Sequence, residues 1–273
     1  MIKSFELENV KILDIGNSFG NMNTTASFYP KEMTLEERQM DFLRRRMILA
    51  RENGFNGKKM FMADQSRKDG SYCVLTRELI NEKEDGWLRD IPEDILVITK
   101  DTPGVVIGHP IADCPVIIMT DRSKGVTALG HCSGEMIDKE LPINIFKALK
   151  KEFGTNLEDV KVYVSSCISE KWEYNCWPGF AKNKQLWEGS IVSGRQEGET
   201  TYYNINIRHA IAKQLESVGI ANDSIYWNMD DTLTDSRYYS NCASRFDKSK
   251  AGRNFVGAYY PLSQKEKVKE KTR

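Results

Sequence analysis

The sequence predicts a mixed α/β chain of the α+β type, a single layered domain with a mixed central β-sheet flanked by helices. Three observations predict it. Short runs rich in β-branched residues are interspersed with longer stretches whose apolar residues recur at helical spacing. The 273 residues, 40% of them hydrophobic, can bury a large core. No internal repeat and no linker-like stretch interrupts the pattern, so residues 1–262 read as one domain.

The elements follow in order. From Thr34 to Asn53, Met40, Leu43, Met47 and Ile48 recur among many charges, and Gly54 supplies a stop; this is an amphipathic helix. Residues 95–99, 105–111, 115–120, 126–131 and 160–165 are short, β-branched and bounded by Gly, Pro or Asp, and read as strands. Pro142 suits a first helical turn, and Ile145, Phe146, Leu149 and Phe153 form an apolar stripe that closes at Gly154. A further helix spans about residues 205–218, with Ile207, Ile211, Leu215 and Val218 on one face. The final SQKEKVKEKTR, residues 263–273, is charged without a period and reads as a frayed, disordered tail.

Composition narrows the function classes. The 39 basic and 39 acidic residues cancel, so no global field draws the chain to nucleic acid or an anionic membrane. A small-molecule substrate is the expected partner. No signal peptide and no run of about 20 apolar residues is present, which predicts a cytoplasmic protein. Six cysteines with no CxxC pair fit free thiols in a reducing compartment.

Chemistry concentrates in GHPIADCPVIIMTDRSKGVTALGHCSGEMID, which holds two of the three histidines and two of the six cysteines. Asp113 and Cys114 lie between two predicted strands, and His131 closes a third. Strand ends reach clefts. Cys and His can ligate zinc, and a Cys beside a His is equally a nucleophile with its base. A small buried Cys114 and a hydrogen-bonded core His131 remain a third reading. Asp113 could orient His131 or cap the turn after Ile111. His109, five residues before Cys114, falls on the opposite face by strand alternation unless Pro110 or a bulge resets the pleat. His209 lies off its helix stripe and is expected in solvent. Cys73, Cys176 and Cys242 have no partner at a telling spacing.

The succession ADCPVIIMTD, ALGHCSG, VSSCISEKWEY, NINIRHAIAKQLESVGI and ASRFDKSKAGRNFVGAYY resembles, from about Gly16 to Leu262, the laccase-domain proteins. That family carries a multicopper polyphenol oxidase label, and members are described as purine nucleoside-processing enzymes and as peptidoglycan-editing factors. The resemblance implies a cleft in which a His from a Gln-Val-His-Gly motif, the Cys of an Ala-Asp-Cys motif and the His of an Ala-His-Ala-Gly-Trp-Arg-Gly motif hold zinc beside a nucleoside. Asp113, Cys114 and Pro115 match the second motif and His131 matches the third, making Cys114 and His131 the implied zinc ligands. In FMADQSRKDG, Gln65 matches the first motif but Arg67 stands where the third zinc ligand should be. Ser133, Gly134 and Glu135 replace the Gly-Trp-Arg that follows His131. Arg245, Asp247, Gly252 and Arg253 match a Tyr-Arg-Arg-Asp to Thr-Gly-Arg segment, with one extra residue. The resemblance thus implies catalysis by Cys114, His131 and Asp113, and substrate contacts from Gln65, Arg67, Arg245 and Arg253.

The Arg67 exchange bears on the metal. A guanidinium near 5 Å from a divalent ion is repelled by about 7 kcal/mol at an effective dielectric of about 20. Either Arg67 swings out and His109 or Cys132 completes the shell, or the cleft holds no zinc. Without zinc, a cation and an imidazole near Cys114 would favour its thiolate, whereas apolar burial would oppose it. Three readings remain. One is a laccase-domain enzyme that phosphorolyses or deaminates purine nucleosides. A second is a Cys114/His131 thiol hydrolase or amidase acting on peptide-like substrates. The third is a paralogue that binds without turnover. Multicopper oxidation is disfavoured, because it calls for about ten His ligands and the chain has three histidines.

Overall fold

The computed structural model describes residues 2–24, 29–82, 91–175 and 184–263. The chain opens with a hairpin of β1 (Ile2–Leu7) and β2 (Val10–Ile15), turning at Glu8 and Asn9, both with positive φ. Helix α1 (Leu35–Asn53) follows. Thr34 accepts from the Glu37 amide while the Glu37 carboxylate accepts from the Thr34 amide, closing a capping box, and Gly54 ends the helix at φ 74°. Next come β3 (Met60–Met62), β4 (Tyr72–Val74), α2 (Arg77–Glu82), β5 (Ile95–Thr99), β6 (Val106–Ile111), β7 (Val116–Asp121) and β8 (Val126–His131). Helices α3 (Gly134–Asp138) and α4 (Leu141–Phe153) lead to β9 (Val160–Val164). The rest comprises β10 (Glu173–Tyr174), β11 (Ile191–Glu197), β12 (Thr200–Ile205), α5 (Ile207–Ser217), β13 (Ile225–Trp227) and β14 (Asn254–Tyr259).

The mixed α/β class holds, and the central layer is double. One mixed sheet runs β1-β2-β14-β6-β3 and another runs β13-β9-β7-β8-β5-β4. Between them Phe61, Ile107, Ile111 and Val256 of the first pack with Leu96, Ile118, Leu129 and Tyr163 of the second. On the outer face of the first sheet, Leu13, Ile15, Met60 and Phe255 pack with Phe42 and Leu49 of α1. On the outer face of the second, Ile117, Met119 and Ala128 pack with Ile145 and Leu149 of α4 and with Ile211 and Leu215 of α5. The order of layers is helix, sheet, sheet, helix. β6 and β7 are buried throughout because each sheet is covered on both sides, which is why their sequences show no polar alternation. A small antiparallel sheet, β10-β12-β11, is separate. The charged tail expected from residue 263 onward lies almost wholly outside the described residues. No described helix is long and apolar enough to cross a membrane.

Candidate functional site

The site forms where the chain passes from one sheet to the other. β6 ends at Ile111 in the first sheet, residues 112–115 bend, and β7 begins at Val116 in the second. Val116 lies opposite His131 in the antiparallel register, and the Cys132 amide donates to the Pro115 carbonyl at 2.8 Å. Cys114, two residues before Val116, and His131 therefore occupy the same end of the β7–β8 pair. The bend also breaks the alternation counted from sequence. His109 lies between the inter-sheet core residues Ile107 and Ile111, and His131 two residues beyond Leu129 of that same core. The two imidazoles stack, one from each sheet, with centroids 4.4 Å apart and planes 16° from parallel.

Gln65 fixes His131. Its Oε1 is 2.9 Å from His131 Nδ1, while its Nε2 donates to the His131 carbonyl at 3.1 Å and toward the Asp94 carbonyl at 3.4 Å. Carbonyls only accept, so Nε2 must face them and Oε1 must face the ring. Nδ1 then carries the proton and, in the neutral ring, Nε2 carries the lone pair. Gln65, expected at the substrate, thus uses both ends of its amide on His131. It is buried and holds φ 55°, a left-handed conformation uncommon for a side-chain-bearing residue. Buried Asp94 holds the same loop by accepting from the amides of Lys68, Asp69 and Gly70 at 3.2, 2.8 and 2.7 Å. Lys68, at the glycine position of the resembled motif, also lies in the left-handed region, at φ 51°.

Asp113 faces other partners. Its buried carboxylate accepts from the Thr232 hydroxyl at 2.9 Å, the Ser240 hydroxyl at 2.7 Å and the Cys242 amide at 2.8 Å. It anchors the 232–242 segment beside Cys114, and burial raises its pKa from the ordinary aspartate value against the opposing pull of these hydrogen bonds. Cys114 is half-buried, and its thiol is pushed up to about 12, first by desolvation and then by the Asp113 charge. The Arg253 charge and the Gly134 amide pull the other way by less. The cation that acts on Cys114 is therefore Arg253 rather than Arg67. Arg67 is 51% exposed and pairs with Glu93 at 3.0 Å. Arg245 lies over the Trp172 ring, 5.5 Å from its centroid. His209 is exposed, as expected, and meets the Ser190 hydroxyl at 3.0 Å. Cys176 lies outside the described residues.

The donor set does not fit a zinc ion as it stands. Arg67 occupies the third position and has no lone pair to offer. The stacked His109 is not a substitute, because a metal sits in the plane of an imidazole at ~2.0 Å and two stacked rings whose planes are 16° from parallel cannot both hold one ion in plane. Among the described residues, no three His, Cys, Asp or Glu side chains form a group that could hold a metal ion. What the arrangement offers is an oriented imidazole and a protonated thiol at one end of the inter-sheet core.

Comparison with known proteins adds the following. The family model described as multi-copper polyphenol oxidoreductase laccase matches residues 31–259. No curated protein matches the sequence. Among solved structures, YlmD from Geobacillus stearothermophilus superposes with a TM-score of 0.72 at 16% identity, covering 93% of this chain and 92% of that one. The Bacillus licheniformis hypothetical protein YfiH gives 0.73 at 15% identity, covering 93% and 94%. Neisseria meningitidis protein NMB0706 gives 0.68 at 16% identity, covering 96% and 99%.

Proposed function

The chain belongs to the multi-copper polyphenol oxidoreductase laccase family, and from that premise we propose that it is an enzyme acting on purine nucleosides at the Cys114/His131 cleft. The observation that carries the reading is the Gln65 amide, which fixes the protonated nitrogen of His131 and leaves the lone pair of the neutral ring on Nε2. In the proposed reaction His131 takes a proton from the attacking group and returns it to the group displaced. With water, the group displaced is the exocyclic amine of the base; with phosphate, it is the base itself, leaving the sugar carbon bonded to phosphate. Cys114 stays a thiol at neutral pH because burial holds its proton, so it serves as a hydrogen-bonding wall rather than the nucleophile. No step is drawn through zinc, which the donor set does not fit, and the copper in the family's label finds three histidines in this chain.

Chromatography of adenosine, inosine and guanosine incubated with the purified chain tests the reading, with and without phosphate and with and without a chelator. Expected are inosine from adenosine, or free base formed only when phosphate is present, either one surviving the chelator and falling at least ~100-fold in His131→Ala. Nucleosides that remain unchanged under every condition would refute it.

A further inference from the structure

Near the Cys114 segment, a cavity of about 610 Å³ is lined by Trp172, Tyr174, Tyr202, Arg245 and Phe246. Cys242 also lines it and gives its amide to Asp113, so the cavity adjoins the Cys114 segment. We propose that this cavity is a binding site for a planar aromatic ring bearing an anionic group, of the chemical class of a nucleoside monophosphate.

The aromatic half of the argument comes from three rings. Phe246 is 84% exposed, more than any other large apolar side chain among the described residues, although it stands at the mouth of a cavity. Its ring centroid is 6.1 Å from that of Trp172 with the planes 54° apart, so the two rings open as a V. Tyr202 is capped on one face by Arg195 at 4.2 Å. A flat ring entering the V would cover Phe246 and meet aromatic walls in offset or edge-to-face contact.

The anionic half comes from charge accounting. Glu173, the carboxylate in the lining, is held by Arg195 through two bonds of 2.8 Å. Lys171 and Arg245 also line the cavity, and among the described residues neither has an ion pair. Arg245 is exposed and rests over Trp172, and a guanidinium can pair with two phosphate oxygens at once. Ring and anion are therefore recognised by adjacent walls of one cavity.

The inference goes beyond the nucleoside reading of the neighbouring cleft. Calorimetry on the full chain, with AMP as the probe and adenosine and ribose 5-phosphate as its separate halves, tests it. AMP is expected to bind at least ~10-fold more tightly than either half. Phe246→Ala, a change on an exposed side chain, should weaken AMP about tenfold, and Phe246→Tyr should retain it. Arg245→Gln should bring AMP down to the affinity of adenosine. AMP binding unchanged in both Phe246→Ala and Arg245→Gln, or AMP no tighter than adenosine in the parent chain, would overturn the proposal. Nucleoside turnover without AMP binding would overturn this inference and leave the proposed function standing.

Discussion

Replacing Gln65 with methionine keeps the length of the side chain and removes both hydrogen bonds to His131. The oxygen accepting from Nδ1 at 2.9 Å and the nitrogen donating to the His131 carbonyl at 3.1 Å are lost together, in a buried position. A buried hydrogen bond contributes about 1 kcal/mol net, and removing one partner so that the other is left unsatisfied costs about 1–3 kcal/mol in all. At about 1–2 kcal/mol for each of the two bonds, a loss of about 2–4 kcal/mol is expected, which corresponds to a fall of about 4–16 °C in Tm for a chain of this size. Calorimetry reads the stability, and nitrogen NMR of the His131 ring reads the proton: the parent should show Nδ1–H, and the variant a mixture of both tautomers. Nucleoside turnover should fall by at least ~10-fold, because only one tautomer presents the base. A variant with parental Tm and an unmixed Nδ1–H ring would show that Gln65 neither supports nor orients His131.

Further predictions concern the neighbouring groups. Iodoacetamide labelling of Cys114 should begin only well above pH 9, after the half-buried Cys73, because its thiol is pushed up to about 12; labelling below pH 8 would contradict the burial argument. Asp113→Ala should cost about 3 kcal/mol in urea unfolding by removing the acceptor of three buried donors. Asp113→Asn should cost less, since its carbonyl can take the Cys242 amide while the hydroxyls of Thr232 and Ser240 turn to accept. Asp113 also sets a pH dependence. Its folded pKa is raised, so its contribution is fully present below the unfolded value and is lost as pH rises through the folded one; Asp113→Asn should flatten that decline. Thr34→Ala opens the capping box of α1 and should cost about 1 kcal/mol by the same measurement.

The helices were legible because their ends are written locally. Thr34 with Glu37, and Gly54 and Gly154 in left-handed stops, carry boundaries that no tertiary contact has to supply. The buried strands were legible as strands, but not the assignment of β6 and β7 to different sheets. A strand covered on both faces gives the same apolar run in either layer. That missing assignment left the face of His109 relative to Cys114 conditional on a reset of the pleat, since the chain bends and changes sheets between them. β11 was invisible for the opposite reason, being exposed and polar along most of its length. Cys114 and His131 could be singled out by residue type and motif. The role of Gln65 could not, because it acts across 66 residues of sequence from a loop whose left-handed turn is held by Asp94. A sequence signal existed only in the sense that glutamine offers a donor and an acceptor at once.

The stack of His109 on His131 unites one ring from each sheet at 4.4 Å. Each imidazole therefore sits in the shielding cone of the other, and the carbon-bound ring protons should resonate upfield of those of exposed His209. The displacement falls steeply with distance, so a fraction of an ångström of sliding or parting between the sheets would move these resonances while the β-ladders stayed intact. The pair is a built-in ruler for the spacing of the sandwich, readable under pressure, heating or ligand without attaching a label.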